Sequence, residues 1–209
     1  MPRTEPFDRY PERYERWFEE NRYAYESELL VLKEFIPEGR SGIEIGIGSG
    51  RFAAPLGIGL GVEPSREMRS LSKKRDLTVV DSIAEDLPFR EGVFDFALMV
   101  TTICFIDEIE RSFQEIFRIL KPEGVFIIGF IDLDSPIGRQ YQKNKESSVF
   151  YQNAQFYSVD EVIAYLKRAG FGRFSFRQTL FHPPKGLQRV EKAVEGYGKG
   201  SFVAIRAEK

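Results

Sequence analysis

The stretch that decides the fold reads Gly42-Ile43-Glu44-Ile45-Gly46-Ile47-Gly48-Ser49-Gly50. An apolar run with an acid near its end leads directly into three alternating glycines. Glycine adopts positive φ readily and has no Cβ, so the backbone can turn sharply off a strand and approach a ligand closely. The pattern therefore predicts a ligand loop at the end of a β-strand, and a glycine-rich turn that binds nothing is the competing interpretation.

The spacing of the glycines bears on which ligand this loop accepts. The dinucleotide motif G-x-G-x-x-G would require a glycine at position 51, where the chain has Arg51. The carboxylate of Glu44, just before the loop, would repel a pyrophosphate and attract a ligand that carries positive charge. Both features argue against NAD and favour S-adenosylmethionine, whose sulfonium and ammonium groups are cationic.

Residues 44–50 resemble the first motif, acid-hydrophobe-Gly-x-Gly-x-Gly, of the class I S-adenosylmethionine-dependent methyltransferases. Residues 117–124 are similar to the family's Arg-x-Leu-Lys-Pro-Gly-Gly turn, and the resemblance extends over nearly the whole chain. It implies a Rossmann-like α/β fold: a doubly wound, seven-stranded, mostly parallel sheet with helices on both faces and an antiparallel last strand. It also implies an enzyme that uses S-adenosylmethionine as its cofactor.

Composition limits the size of the core and the classes of partner. The 209 residues are 42% hydrophobic and 14% aromatic, which is enough for one well-buried core, and we expect one domain over residues 1–209. The net charge is -2, and the 30 basic residues are scattered among 32 acidic ones. No basic stripe is available to follow a phosphate backbone, so nucleic acid is not an expected partner.

The chain lacks the usual signals for a membrane, a signal peptide or a metal site. The longest apolar run, residues 125–131, is too short to span a bilayer, and residues 1–6 carry charges and prolines where a signal peptide needs an apolar core. These features predict a cytoplasmic protein without a membrane partner, as a monomer or homodimer. Cys104 and His182 are the only cysteine and histidine, so we expect no disulfide and no metal site.

Hydrophobic periodicity divides the chain into alternating strands and helices. Residues 10–35 are expected to form two helices broken near Asn21, within an N-terminal helical lid of about residues 8–36. The polar stretch of about residues 133–157 is expected to be an inserted cap, and residues 182–199 a second, irregular or helical insert. Strands are expected at residues 41–45, 58–62, 77–80, 94–100, 125–131, 173–180 and 201–207.

Two of the expected helices carry clear capping signals. Ser65 is a suitable N-cap for the helix that follows Pro64. Ser158, with Glu161 three residues later, predicts a capping box for a helix that ends at Gly170.

Glu63 is the expected ribose-binding residue. It ends the second predicted strand, 19 residues after Glu44, where nucleotide-binding α/β folds hold the ribose hydroxyls. The resemblance implies the same role for Glu63, and it implies that Met68 packs against the adenine. The competing interpretation of Met68 is an ordinary core residue.

Residues 81–89 resemble the family's adenine-side motif, Asp-Ala-x-x-Leu-Pro-Phe, but Ile83 replaces the usual Asp. Adenine would then be recognised by backbone groups, or by Asp81 or Glu85. The full set of expected cofactor-binding residues is Glu44, Gly46, Ile47, Gly48, Ser49, Gly50, Glu63, Pro64, Met68, Ile83, Ala84, Glu85 and Thr101.

The methyl acceptor is expected to be a small molecule held between the lid and the cap. Its expected contacts are Tyr14, Trp17, Tyr141 and Tyr151. Basic residues of the cap would suit a polar or anionic acceptor; they are Arg139, Lys143 and Lys145.

No catalytic residue is assigned from the sequence. A displacement at a sulfonium methyl group needs a base only if the acceptor begins protonated. The candidate bases are His182, Asp132, Tyr141 and Tyr151. The alternatives to methyl transfer are an inactive S-adenosylmethionine-binding module and, less favoured, an NAD-dependent oxidoreductase.

Overall fold

The computed structural model describes residues 3–209; Met1 and Pro2, which belong to the predicted domain 1–209, lie outside the described residues. A single β-sheet runs through the molecule. Its strands, in chain order, are β1 (Gly42–Ile45), β2 (Leu60–Val62), β3 (Thr78–Val80), β4 (Phe94–Val100), β5 (Leu120–Ile131), β6 (Gly172–Thr179), β7 (Val194–Glu195) and β8 (Phe202–Glu208).

The strand order is β3-β2-β1-β4-β5-β8-β6-β7. Strands β1 to β5 are parallel, and the last strand, β8, is antiparallel to both β5 and β6. The predicted mostly parallel sheet with an antiparallel last strand is confirmed. The chain leaves β1 towards β2 and β3 on one side and resumes at β4 on the other, which makes the β1/β4 boundary the topological switch point where such sheets bind ligands.

The sheet has eight strands, so the predicted count of seven is wrong. The additional strand is β7, within the segment 182–199 that was expected to be irregular or helical. Its two residues pair antiparallel with Arg177 and Gln178 of β6. Both side chains of this two-residue strand are exposed, so the sequence shows no hydrophobic pattern there. The strand is held by backbone pairing with the edge of the sheet.

Helices surround the sheet, and their capping agrees with the prediction. Asn21 separates the second and third helices, the Ser65 hydroxyl accepts from the Met68 N–H, and Ser158 and Glu161 form the capping box. Gly170 ends its helix at φ 105°. The helices are α1 (Glu5–Arg9), α2 (Pro11–Glu20), α3 (Arg22–Lys33), α4 (Arg66–Lys73), α5 (Ile109–Ile119), α6 (Pro136–Asn144) and α7 (Val159–Ala169), with short 3-10 helices at Ile103–Phe105 and Lys145–Ser147.

Strand β4 shows why the sheet is covered on both faces. Side chains alternate across a strand, so Ala97 and Met99 pack on one face with α5 and α7, while Phe96, Leu98 and Val100 pack on the other with α2 and α3. A seven-residue run that is apolar except for Asp95 is typical of such a doubly covered strand. No helix within residues 3–209 has the length and hydropathy needed to cross a membrane.

The connection from β1 to β2 is unusually short. Residues 51–57 form consecutive turns instead of a helix, and Phe52 and Ala53 from this segment are buried. Gly57 ends the turns with φ +73°. Because no long helix follows the glycines, the outer side of the glycine loop (residues 46–50) is open to contact from the N-terminal helices.

Candidate functional site

A cavity of about 1010 Å³ lies at the carboxyl ends of the parallel strands, beside the switch point. The glycine loop and the ends of β2 and β4 form its floor, and α1 to α3 together with residues 133–157, called the insert below, form its walls. Fold topology therefore places the cavity at the edge where open α/β sheets bind ligands.

The three loop glycines are each required for a different steric reason. All have positive φ, at +70°, +55° and +83° for Gly46, Gly48 and Gly50. A Cβ on Gly46 would lie 2.3 Å from Thr102 Cγ2, and one on Gly50 would lie 2.3 Å from Leu77 Cδ1. Gly46 and Gly48 both line the cavity, and the Tyr14 hydroxyl lies 3.3 Å from the position of the missing Cβ of Gly48.

Glu63 lies at the end of β2 and faces the cavity. Its carboxylate accepts from the Gly48 N–H at 2.9 Å and from the Ser65 N–H at 2.8 Å. Burial raises the pKa of Glu63 to about 7, although these two donors oppose the shift. The Arg69 guanidinium donates to the Glu63 carbonyl at 2.8 Å and stabilises the turn that presents the carboxylate.

Glu44 does not line the cavity, although the sequence placed it among the cofactor-binding residues. Its side chain is 1% exposed and lies beneath the turns that follow the loop, where the Ala53 N–H donates to it. Its Oε2 atom has no hydrogen-bond partner among the described residues. Burial raises the pKa of Glu44 well above its ordinary value, with a smaller contribution from Glu63.

Most of the other predicted cofactor-binding residues reach the cavity. Those that line it are Gly46, Gly48, Glu63, Pro64, Met68, Ile83, Ala84, Glu85 and Thr101. The other three residues of the glycine loop, Ile47, Ser49 and Gly50, do not line the cavity. Ile47 packs instead against the position where a Cβ of Gly61 would lie, which explains its burial.

The two acids considered for adenine recognition are already engaged by the chain. Asp81 pairs with Arg69 at 2.7 Å and does not line the cavity. Glu85 does line it, and one of its oxygens accepts from the N–H groups of Asp107 and Glu108 at 3.0 and 3.3 Å. Glu85 therefore fixes the approach to α5.

Aromatic side chains from α1, α2 and the insert, together with Phe105, form a wall of the cavity, and we call this part of the cavity the aromatic chamber. The rings of Tyr141 and Tyr151 stack with centroids 5.2 Å apart, and Tyr151 stacks on Phe105 at 6.1 Å. Its members are Phe7, Tyr14, Trp17, Phe105, Tyr141, Phe150, Tyr151 and Phe156. All four predicted acceptor contacts are thus brought together, whereas Phe7, Phe105, Phe150 and Phe156 were not expected from the sequence.

Glu28 of α3 is a buried acidic residue of the cavity that was not predicted from the sequence. Its side chain is 3% exposed and lines the cavity. Burial raises the pKa of Glu28 to about 8, and no hydrogen bond or ion pair from the described residues opposes that shift. The available signal was its position: residues 24, 31 and 32, one helical turn away on either side, are buried apolar residues.

Contacts from the N-terminal helices hold them against the glycine loop. Glu15 of α2 pairs with Arg51 at 2.7 Å and with Arg75 at 2.6 Å, and it accepts from the Ser49 hydroxyl. Arg3, before α1, donates to Asp107 at 3.0 Å and to the Asn153 carbonyl at 2.5 Å. These contacts hold α1 and α2 beside the cavity.

Several predicted acceptor or catalytic candidates do not lie in the cavity. His182 is exposed and pairs with Glu191 at 2.5 Å. Asp132 is buried elsewhere and accepts from the N–H groups of Asp134 and Val159. The basic residues of the insert are likewise absent from the lining; they are Arg139, Lys143 and Lys145. Helix α6, which carries Arg139 and Lys143, presents Gln140, Tyr141 and Asn144 to the cavity.

The thiol of Cys104 lines the cavity but is not a nucleophile. Burial raises its pKa to about 12, and Sγ donates to the Thr101 carbonyl at 3.2 Å. Thr101 itself has φ 51°, a conformation that is strained for a β-branched residue. The strained residue marks the point where β4 ends at the cavity.

Comparison with known proteins agrees with the position of the site. A family model described as a methyltransferase domain matches residues 43–128, from β1 into β5. An uncharacterised protein of Methanocaldococcus jannaschii is 46% identical over 203 residues, which cover 97% of this chain and 98% of the relative. A malonyl-[acyl-carrier protein] O-methyltransferase of Geobacter sulfurreducens is 28% identical, covering 78% of this chain and 68% of the relative.

A solved structure from Thermotoga maritima is similar over almost the full length. It is 50% identical, with a TM-score of 0.96, and covers 98% of each chain. That protein is described as an S-adenosylmethionine-dependent methyltransferase and a possible histamine N-methyltransferase.

Proposed function

Because this chain belongs to the class I S-adenosylmethionine-dependent methyltransferases, with S-adenosylmethionine as their cofactor, we propose that it methylates a small-molecule acceptor held in the aromatic chamber. The observation that carries the proposal is the continuity of the cavity. The glycine loop with Glu63 and the aromatic chamber line the same space, so a nucleoside at the loop and an acceptor in the chamber would be neighbours. We assign residues 8–36 to a lid, and the insert, residues 133–157, to a cap, both within one catalytic domain.

The residues present fit this cofactor. The missing Cβ of Gly48 leaves room for a ligand against the loop, and a carboxylate at Glu63 can accept from two ribose hydroxyls while it keeps its backbone donors. Met68, Ile83 and Ala84 offer apolar surface for a purine. Glu44 would act from behind the loop, by supporting the turn through its hydrogen bond with the Ala53 N–H.

The bound cofactor supplies an electrophilic methyl group, which we propose moves to the acceptor by in-line displacement. The chain would contribute by orienting the acceptor and excluding water. Orientation of this kind can lower a barrier by ~7–11 kcal/mol, so the reaction does not require a catalytic triad. Rigid stacked rings such as Tyr141 and Tyr151 suit this task.

The proposed acceptor is small because the chamber is closed by the lid and the insert. The description of the Thermotoga relative as a possible histamine N-methyltransferase supports this size class. A direct test is to incubate the protein with radiolabelled cofactor and a panel of small amines, alcohols, thiols and acids, with histamine included. Transfer to a panel member is the expected result; transfer only to protein or nucleic acid would contradict it.

Replacing Glu63 tests the ribose assignment. We expect Glu63→Gln to weaken binding of S-adenosylhomocysteine by ~1–3 kcal/mol at pH 8, because an acceptor of the hydroxyls is lost. In the wild type, affinity should rise as the pH passes through about 7, since only the ionised carboxylate accepts from both hydroxyls. Isothermal titration calorimetry at pH 6 to 8.5 should show this rise diminished in the variant.

An affinity equal to that of the wild type at every pH, in a folded variant, would remove Glu63 from the ribose site. NAD serves as the ligand control. We expect no NAD binding to either protein, because the loop lacks the third glycine of the dinucleotide spacing.

A further inference from the structure

We propose that Glu28 is the anionic anchor for an ammonium group, so that the aromatic chamber selects cationic amines as acceptors. The inference rests on the proposed function, because it names the substrate class of the same site. It concerns recognition of the amine and leaves open which nitrogen receives the methyl group.

The position of Glu28 has no structural explanation within the chain. Glutamate is almost never fully buried unless it is paired, yet the carboxylate of Glu28 has neither a hydrogen bond nor an ion pair among residues 3–209. An unpaired carboxylate in a protein interior is destabilising. With a pKa of about 8, Glu28 is largely protonated at neutral pH in the chain alone, and a cation that enters the cavity from outside would favour its ionised form.

The side chains around Glu28 suit an ammonium group. Glu28 lines the same cavity as the stacked rings of Tyr141 and Tyr151. Burial, followed by the negative charge of Glu28, raises the pKa of the Tyr141 phenol to about 12. The same charge contributes to the raised pKa of Tyr151, after burial and nearer groups. Aromatic faces attract ammonium groups, and the attraction grows when the site excludes water.

The cationic residues of the cavity lie elsewhere. Arg3, Arg13, Arg16 and Arg111 line it, but none forms an ion pair with Glu28. Arg3 is bound to Asp107 and to the Asn153 carbonyl. The basic residues of the insert, expected to favour an anionic acceptor, are outside the lining, so none of them neutralises Glu28.

The test compares matched amines and alcohols bound to the complex with S-adenosylhomocysteine. The probes are benzylamine with benzyl alcohol, 2-phenylethylamine with 2-phenylethanol, and ethanolamine with ethylene glycol. We expect calorimetry to show that the wild type prefers at least one amine over its alcohol, and that Glu28→Gln weakens binding of that amine by about 30-fold or more. Binding of the alcohols and of S-adenosylhomocysteine should be unchanged.

Two further variants separate charge from packing. Glu28→Asp keeps the charge and should retain part of the preference for amines. Glu26→Gln removes a carboxylate from the same helix that pairs with Arg22 at the surface and should change nothing. Circular dichroism and thermal unfolding would establish that Glu28→Gln is folded, which we expect because the change removes an unpaired buried acid.

The outcomes separate this inference from the proposed function. Amine binding that Glu28→Gln leaves intact, or the absence of any amine preference in the wild type, would overturn the anchor. If amines bind through Glu28 but no panel compound is methylated, the proposed function fails and the anchor stands. If Glu28→Gln methylates an uncharged acceptor with full activity, the proposed function stands and the anchor fails.

Discussion

Gly48→Val is expected to abolish binding of S-adenosylmethionine and S-adenosylhomocysteine, with at least about a 100-fold loss of affinity. Gly48 has φ +55°, where a β-branched residue is strained by roughly 1–2 kcal/mol or more. A Cβ would also lie 3.3 Å from the Tyr14 hydroxyl, and the two methyl groups of valine would extend further into the proposed cofactor site. Calorimetry with S-adenosylhomocysteine would measure the loss.

Gly57→Val is the matched control for this change. Gly57 also has positive φ, at +73°, but no atom lies within 4 Å of its missing Cβ, and it does not line the cavity. The control should lose stability through backbone strain and keep its affinity for the cofactor. Normal affinity in Gly48→Val, or an equal loss in both variants, would contradict the assignment of the glycine loop.

Glu15→Ala should destabilise the protein by about 2–3 kcal/mol, because two partly buried guanidinium groups lose their shared carboxylate. Burial alone would raise the pKa of Glu15, but hydrogen bonds from Ser49, Arg51 and Arg75 outweigh it, and the pKa is lowered. The stabilisation is therefore present above the ordinary carboxyl range and is lost as the pH falls through the folded-state pKa. Urea unfolding at pH 7 and pH 3.5 would show the difference between wild type and variant shrinking.

Glu19→Ala provides the control on the same helix. Glu19 lies 3.8 Å from Arg51, but its side chain is 73% exposed, so the pair is weak. Little change in stability is expected at either pH. A similar destabilisation of both variants would mean that general helix damage, and not the pairing of Glu15 with the loop, is being measured.

The parts of the fold that follow strong local patterns could be predicted from the sequence. The bounds of β4 agree with the prediction at both ends, because its apolar run is buried on two faces and stops where the cavity begins. The beginning of β5 does not agree: it starts at Leu120, earlier than residue 125, because Leu120 pairs with Phe94 across a register shift. That pairing depends on a neighbouring strand and leaves no periodic signal.

The same distinction applies to the site. Glu63 could be proposed because it ends the strand that follows the glycine loop, whereas the cavity position of Glu28 depends on residues more than 100 positions away, such as Tyr141. The burial of Glu44 could not be predicted from the sequence either. An acid at the end of a strand faces either the ligand or the loop that covers it, and here the short turns after Gly50 cover it.

The contacts of Glu15 and Arg3 also affect the order of events in a catalytic cycle. With the cofactor seated at the glycine loop as proposed, the Glu15 contacts hold α2 across it, and Arg3 joins Asp107 to the insert on the other side. Spent cofactor then leaves only after these contacts break. Because the same helices also line the acceptor chamber, the methylated acceptor would need the same opening, and that opening would be the slow step of turnover instead of bond formation.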